Sequence, residues 1–189
     1  VVNEPTLTNE HHRALLTVAA DSIAHGLRSR MPLAVEPARF DQPLRLLRAT
    51  FVTLKLAGRL RGCIGTLEAV RPLVADVAYN AFAAALSDPR FAPLGIAEQT
   101  QVNIHISVLS PPQPMTFAGE DDLLSQIRPN IDGLILEDAG RRGTFLPSVW
   151  ESLPDVATFW SHLKTKAGLP ANHWSDTLRV SRYTTESIE

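Results

Sequence analysis

The stretch that most restricts how this chain can fold runs from Phe51 to Thr66. Two runs, Phe51-Val52-Thr53-Leu54-Lys55-Leu56 and Leu60-Arg61-Gly62-Cys63-Ile64-Gly65-Thr66, are separated by Ala57-Gly58-Arg59. A three-residue link with glycine available for a positive φ is a hairpin connection. That length pairs Leu56 with Leu60, Leu54 with Gly62 and Val52 with Ile64, which makes one face apolar. A slip by one residue would set Leu54 against Arg61, and a buried face disfavours this. The register therefore predicts Lys55, Arg61, Thr53, Cys63, Phe51 and Gly65 on the opposite face. The sole cysteine and an arginine share that surface, with glycines leaving backbone open beside them.

Around this hairpin the pattern alternates between helix and strand. Leu15, Leu16, Ala19, Ile23 and Leu27 recur at helical steps, with Thr8 or Asn9 as the cap and Gly26 and Pro32 as terminators. His11 and His12 fall in the first turn. Adjacent residues do not share a helix face, so they read as two solvated side chains, not a metal pair. Pro32, Pro37 and Pro43 mark an extended crossing. Pro72 opens a second helix with Leu73, Val77, Ala81, Ala84 and Ala85 on its apolar face, suited to packing on the hairpin. Asp88-Pro89-Arg90-Phe91-Ala92-Pro93 reads as a rigid turn in which Asp88 holds Arg90 or caps local amides.

Val102, Ile104, Ile106 and Val108 alternate with polar neighbours and predict a strand on which His105 is exposed. Glu120 to Ile127 predicts a short helix with acids in its first turn. Leu134-Ile135-Leu136 and Thr144-Phe145-Leu146 predict two strands, with residues 137–143 as a polar connection. Asp155 caps a last helix carrying Phe159, Trp160, Leu163 and Ala167 inward, with Lys164 and Lys166 at its C-terminal end. Residues 177–183 form the final strand, and the tail from Thr184 to Glu189 is given no role. Hairpins and isolated helices without regular βαβ alternation predict an α+β fold with a mainly antiparallel mixed sheet and packed helices.

Length and composition set outer bounds. A chain of 189 residues can bury one good core or two small lobes sharing one, so residues 1–189 read as a single domain. No apolar run reaches the ~18 residues of a membrane span. Val1-Val2-Asn3-Glu4-Pro5 lacks the basic and apolar regions of a secretory signal, and the absence of an initial Met leaves room for residues before it. One cysteine excludes an intramolecular disulfide and fits a reducing cytoplasm. The net charge of −2 argues against general nucleic-acid or membrane-surface binding. Fifteen of the 18 basic residues are arginines, which favours fixed bidentate contacts or reflects base composition of the gene.

Several blocks carry a resemblance. Leu60-Arg61-Gly62-Cys63-Ile64-Gly65-Thr66, Asp88-Pro89-Arg90-Phe91, Ser107-Val108-Leu109-Ser110-Pro111-Pro112, Asp132-Gly133-Leu134-Ile135-Leu136 and Arg141-Arg142-Gly143-Thr144-Phe145-Leu146-Pro147 are similar, in order, to blocks of the AMMECR domain family. So are Val149-Trp150 and Lys166-Ala167-Gly168-Leu169, so that residues 10 to 184 are covered. Ordered blocks are more specific than any single motif. The resemblance implies a larger and a smaller lobe with a cleft near the signature hairpin. Bacterial relatives are known as AmmeMemoRadiSam system protein A, which implies partnership with a Memo-like protein and a radical-SAM enzyme. The family's activity is unsettled.

Two readings of Cys63 stand. It is a small buried hydrophobe with the glycines serving close packing, or it is a reactive thiol. Two residues along a strand span about 7 Å, within reach of Arg61, and a guanidinium favours thiolate. The expected site is Cys63 as catalytic thiol, with Arg61, Gly62, Gly65, Thr66, Arg90 and Arg142 around a small anionic substrate. No general base is identified. Walker, GxGxxG, HExxH and paired-cysteine motifs are absent, so no cofactor or metal is expected. The alternative is a non-catalytic scaffold beside the Memo-like and radical-SAM proteins, with nucleic-acid binding a third and weaker reading.

Overall fold

The computed structural model describes residues 6–189. The expectation about a secretory signal falls on Val1–Pro5, outside the described residues. In chain order the elements are α1 (Asn9–Ser29), α2 (Gln42–Arg45), β1 (Thr50–Leu56), β2 (Arg59–Gly65), α3 (Leu73–Leu86), β3 (Val102–Leu109), β4 (Gln113–Pro114), α4 (Glu120–Gln126), β5 (Gly133–Asp138), β6 (Arg141–Phe145), α5 (Val156–Lys166), β7 (Arg179–Tyr183) and β8 (Thr185–Ile188). The architecture is α+β, and the described residues group into two compact units, those up to Leu109 with Glu186–Glu189, and Ser110–Thr185.

In the first unit a four-stranded sheet runs in the order β2-β1-β3-β8, with β1 antiparallel to both β2 and β3. The hairpin keeps its expected register from Leu54 inward: Leu54 faces Gly62, Val52 faces Ile64 and Thr53 faces Cys63. Toward the turn it differs. Leu56 pairs with Arg59 and Lys55 with Leu60, so the link is Ala57-Gly58 alone, and Arg61 is the extra residue of a bulge. Ala57 (φ 48°) and Gly58 (φ 76°) are both left-handed, as a two-residue turn matched to strand twist requires. The bulge absorbs the surplus residue, which lets Val52 and Leu54 stay fully buried.

α1 and α3 supply the other side of this core. Thr8 caps α1 through a reciprocal pair: His11 N–H donates to Thr8 Oγ1 at 3.3 Å, and Thr8 N–H donates to His11 Nδ1 at 3.1 Å. His11 is buried, and His12 Nε2 meets Glu186 at 2.9 Å, so neither is a solvated side chain. α3 buries Leu73, Val74, Val77, Ala81 and Ala84 with Val52, Leu54, Ile106 and Val108 in one apolar cluster. Each large aliphatic side chain so buried contributes about 1.5–3 kcal/mol. Glu186–Glu189, given no role by pattern, belong to this unit. β8 is the fourth strand of its sheet, and Ile188 lies in its core.

The second unit has a sheet of order β4-β7-β5-β6, every pair antiparallel. Leu134, Leu136 and Val180 face Phe159, Trp160 and Leu163 of α5 in its own apolar cluster. Trp150 stacks on Phe159 at 3.7 Å between centroids, and its indole N–H donates to the Asp132 carbonyl at 2.8 Å. Asp155 caps α5 by accepting from Thr158 N–H, as its position predicts. Lys164 does not lie free at the helix end: it is buried, with Nζ 2.7 Å from Glu120. β5 and β6 extend to Asp138 and Arg141, so only Ala139 and Gly140 connect them.

Candidate functional site

Cys63 sits on β2, the edge strand of the first sheet, and is partly accessible. Opposite it on β1, the Thr53 hydroxyl donates to Sγ at 3.2 Å. The outward edge of Cys63 is occupied by a turn. Its N–H donates to Asp88 Oδ2 at 2.9 Å, and its carbonyl accepts from Arg90 Nη2 at 3.1 Å. Thr53 and Cys63 therefore form the closely spaced, non-hydrogen-bonded kind of pair, which brings hydroxyl and sulfur together.

Asp88 and Arg90 work as one unit. Arg90 clasps the carboxylate through Nε (3.0 Å) and Nη2 (2.7 Å), and its backbone N–H donates to Oδ1 at 3.1 Å. The Asp88 side chain is 2% exposed and that of Arg90 54%. Hydrogen bonds from Arg90 hold the Asp88 carboxyl well below the usual carboxylate range; burial opposes this and the Cys63 N–H assists. So pinned, Asp88 is an anchor and no general base. Arg90 in turn holds its proton more firmly than a free guanidinium, through Asp88 foremost, against burial, and to a smaller extent through Cys63.

Arg61 departs from expectation. It was expected to stand beside the sulfur; instead its guanidinium donates to both Glu98 oxygens at 2.8 and 2.9 Å and to the carbonyls of Ala92 and Pro93. The bulge at this residue re-aims the side chain along the strand edge. Glu98 is pulled down to about 2, by Arg61 first and by the Gly95 N–H next, against burial. The cation at Cys63 is Arg90, not Arg61.

The two glycines have close neighbours. A Cβ at Gly62 would strike the Ala84 carbonyl of α3, and one at Gly65 would strike the Phe51 ring and the Thr50 carbonyl. Their missing side chains admit a helix backbone and an aromatic ring. Thr66 donates its N–H to Thr50 and places its hydroxyl 3.5 Å from both oxygens of Asp76. Arg142 lies in the second unit on β6, 3.4 Å from Glu137. Of the expected residues, the structure brings Cys63 and Arg90 into contact, engages Arg61 elsewhere on the same strand, and gives Gly62, Gly65 and Thr66 structural neighbours.

Pattern reading passed over two groups. Asp76 is fully buried and accepts from Thr50 N–H and hydroxyl, Asn80 Nδ2 and Arg71 Nη1. Burial pushes its carboxyl upward, while Thr50 and Arg71 pull it back. The signal was present: Asp76 and Asn80, four apart, interrupt an otherwise apolar helix face. The other group is Thr53 with His105. His105 is Thr53's partner on β3, so Cys63, Thr53 and His105 form one row across three strands. His105 is half-buried, with Nε2 3.7 Å from Glu189. Among the described residues no cluster of three His, Cys, Asp or Glu side chains is placed to hold a metal ion, and no helix is long and apolar enough to cross a membrane.

Comparison with known proteins adds the family context. Residues 16–188 match the AMMECR1 family. The chain is 37% identical over 183 residues to a protein of Methanothermobacter thermautotrophicus, covering 94% of this chain and 93% of that one. It is 36% identical over 172 residues to protein MK0488 of Methanopyrus kandleri, covering 89% and 82% respectively. Among solved structures, the crystal structure of uncharacterized protein PH0010 from Pyrococcus horikoshii aligns with a TM-score of 0.87 at 30% identity, over 96% of this chain and 92% of that one.

Proposed function

The chain belongs to the AMMECR1 family, and on that premise we propose that it is an enzyme whose working group is the Cys63 thiol, acting on a small anionic substrate drawn to Arg90. The observation that carries this is the Thr53 hydroxyl donating to Sγ at 3.2 Å on a partly accessible cysteine. The hydroxyl fixes the direction in which the sulfur is presented, and the Arg90 guanidinium, held on the Cys63 carbonyl, lies beside it. Half of the Arg90 side chain is exposed, so a carboxylate or phosphoryl group can meet it from solvent. His105 stands next in the row beyond Thr53, on β3. A lone thiol suits a reducing compartment such as the cytoplasm.

The test is the rate of iodoacetamide alkylation at neutral pH, with Cys63→Ser as the blank. Alkylation faster than that of a free cysteine, and slowed in Thr53→Val, is the expected outcome. A thiol that reacts only as a free cysteine does, indifferent to Thr53, removes the proposal.

A second reading rests on a separate observation: three charged side chains around the strand edge, Asp88, Arg61 and Glu98, are engaged within the chain. Such a rim suits a non-catalytic scaffold that acts with a Memo-like protein and a radical-SAM enzyme, in the manner of AmmeMemoRadiSam system protein A. Retention of those partners by Cys63→Ser, with no turnover by the protein alone, supports the scaffold; turnover without partners rules against it.

A further inference from the structure

The Cys63 reading makes no use of the far margin of the first sheet. β3 has eight residues, and β8, its outer neighbour, has four. Ser110 N–H donates to the Thr184 carbonyl at 2.9 Å, and Glu189 meets His105 at the other end, so β8 runs antiparallel to β3 and reaches only as far as His105. Val102, Asn103 and Ile104 of β3 continue past it. The usual guards of an open strand edge do not occur in these three residues: they include no proline and no charge, and the β1–β3 register there has no bulge.

The direction of each group follows from the pairing. Cys63 turns its N–H and carbonyl away from β1, so Thr53 turns its own toward β3 and forms a hydrogen-bonded pair with His105. Alternation then turns the main-chain groups of Ile104 and Val102 outward, to the open margin. Their side chains pack against the apolar cluster that α1 shares, while Asn103 lies on the opposite face with Lys55, its partner on β1. A groove of about 690 Å³ follows this margin, with Leu16 and Ala20 of α1 along one side and Lys55 along the other. Leu16, Val102 and Ile104 are only partly buried. Lys55 is exposed and makes no hydrogen bond or ion pair among the described residues.

We propose that this margin binds an extended segment of a partner protein as an added strand, with the pattern apolar-Glu-apolar. A groove lined from both faces of one strand suits an occupant that addresses both faces, as a strand does. The two apolar residues stand opposite Ile104 and Val102, exchange main-chain hydrogen bonds with them, and lay their side chains toward Leu16 and Ala20. The intervening glutamate stands opposite Asn103, on the face of Lys55. Two strand spacings, about 9.6 Å, separate it from β1, a gap that the lysine and glutamate side chains span together. The ammonium without an internal partner selects for the acid.

The experiment titrates the isotope-labelled full chain with the capped peptide Thr-Val-Glu-Val-Thr and follows amide resonances. Saturable shifts at Val102, Ile104, Leu16 and Ala20 are expected, with slower hydrogen exchange of the Ile104 and Val102 amides. N-methylation of both valines removes their main-chain donors but keeps their side chains, and weakens binding about tenfold. Glutamine in place of the peptide glutamate weakens it about threefold in the wild type and changes nothing in Lys55→Gln, at about 50 mM salt. Ala20→Phe, at an exposed helix position, fills the groove and abolishes binding. An unchanged thermal unfolding curve verifies the fold of each variant; if Ala20→Phe is not folded, the N-methylated peptide decides. No saturable shift at Ile104, or equal affinity of the N-methylated peptide, overturns the proposal. An equal loss on glutamine in Lys55→Gln overturns the charge assignment. Shifts at this margin that follow protein concentration and ignore the peptide assign it to a second copy of the chain and overturn the proposal as well. Cys63→Ser is expected to bind as the wild type does, so this site and the thiol reading stand or fall separately.

Discussion

Replacing Asp88 tests how the strand edge at Cys63 is held. The carboxylate accepts four hydrogen bonds: from Cys63 N–H, from Arg90 N–H and from two guanidinium nitrogens of Arg90. In Asp88→Ala the Cys63 amide loses its acceptor at a half-buried position, at a cost of about 1–2 kcal/mol. The Arg90 amide adds up to about 1 kcal/mol. The ion pair itself adds no more than about 1 kcal/mol, because Arg90 is exposed and solvent screens it. The total is about 1–4 kcal/mol at neutral pH, read by urea unfolding and by faster hydrogen exchange of the Cys63 amide. Asp88→Asn keeps one acceptor oxygen and is expected to lose about half as much.

The pH dependence of that difference carries a sign. The folded carboxyl lies below its unfolded value of about 3.9, so its contribution is complete above that pH and declines as the pH falls below it. Between about pH 4 and pH 3 the gap between wild type and Asp88→Asn is expected to shrink by roughly 1 kcal/mol. A loss under about 1 kcal/mol in Asp88→Ala at pH 7, or a gap that stays constant down to pH 3, refutes the account of Asp88 as the anchor of this edge.

Three further substitutions probe the folding of the two units. Gly62→Ala drives a methyl group into the Ala84 carbonyl and is expected to destabilise by about 2–3 kcal/mol in urea unfolding, with α3 displaced from β2. Ala57→Gly relieves a left-handed alanine in an exposed turn; a gain of about 0.5–1 kcal/mol is expected, and a loss would contradict the turn geometry. Trp150→Ala removes the stacked partner of Phe159 and the indole donor to Asp132, for about 3–5 kcal/mol by chemical denaturation and a loss of near-ultraviolet dichroism.

The hairpin was legible because one buried face admits only one pairing of Val52 and Leu54, and the helices were legible because their caps and apolar steps are local. What escaped reading depends on atoms far apart in sequence. The bulge at Arg61 arises from the mismatch between a two-residue turn and the fixed inner register, and it sends the guanidinium to Glu98, 37 positions on. That single re-aiming dismantled the expected Cys63–Arg61 pair. Arg90 took its place through a turn whose sequence spoke only of rigidity. Gly62 looked like room for a ligand because the helix that fills it is distant in sequence. Ser187 and Ile188 are too short a pattern to announce a strand, and Ile188 is buried only because β3 provides a neighbour.

The position of β8 has a consequence for biosynthesis. Its residues from Glu186 on leave the ribosome after every residue of the second unit has done so, yet they complete the sheet of the first. The half of the chain translated earliest is therefore the last to reach its native form, waiting with an uncovered β3 margin while the later half matures. A nascent chain stalled just short of Glu186 would present that margin to chaperones.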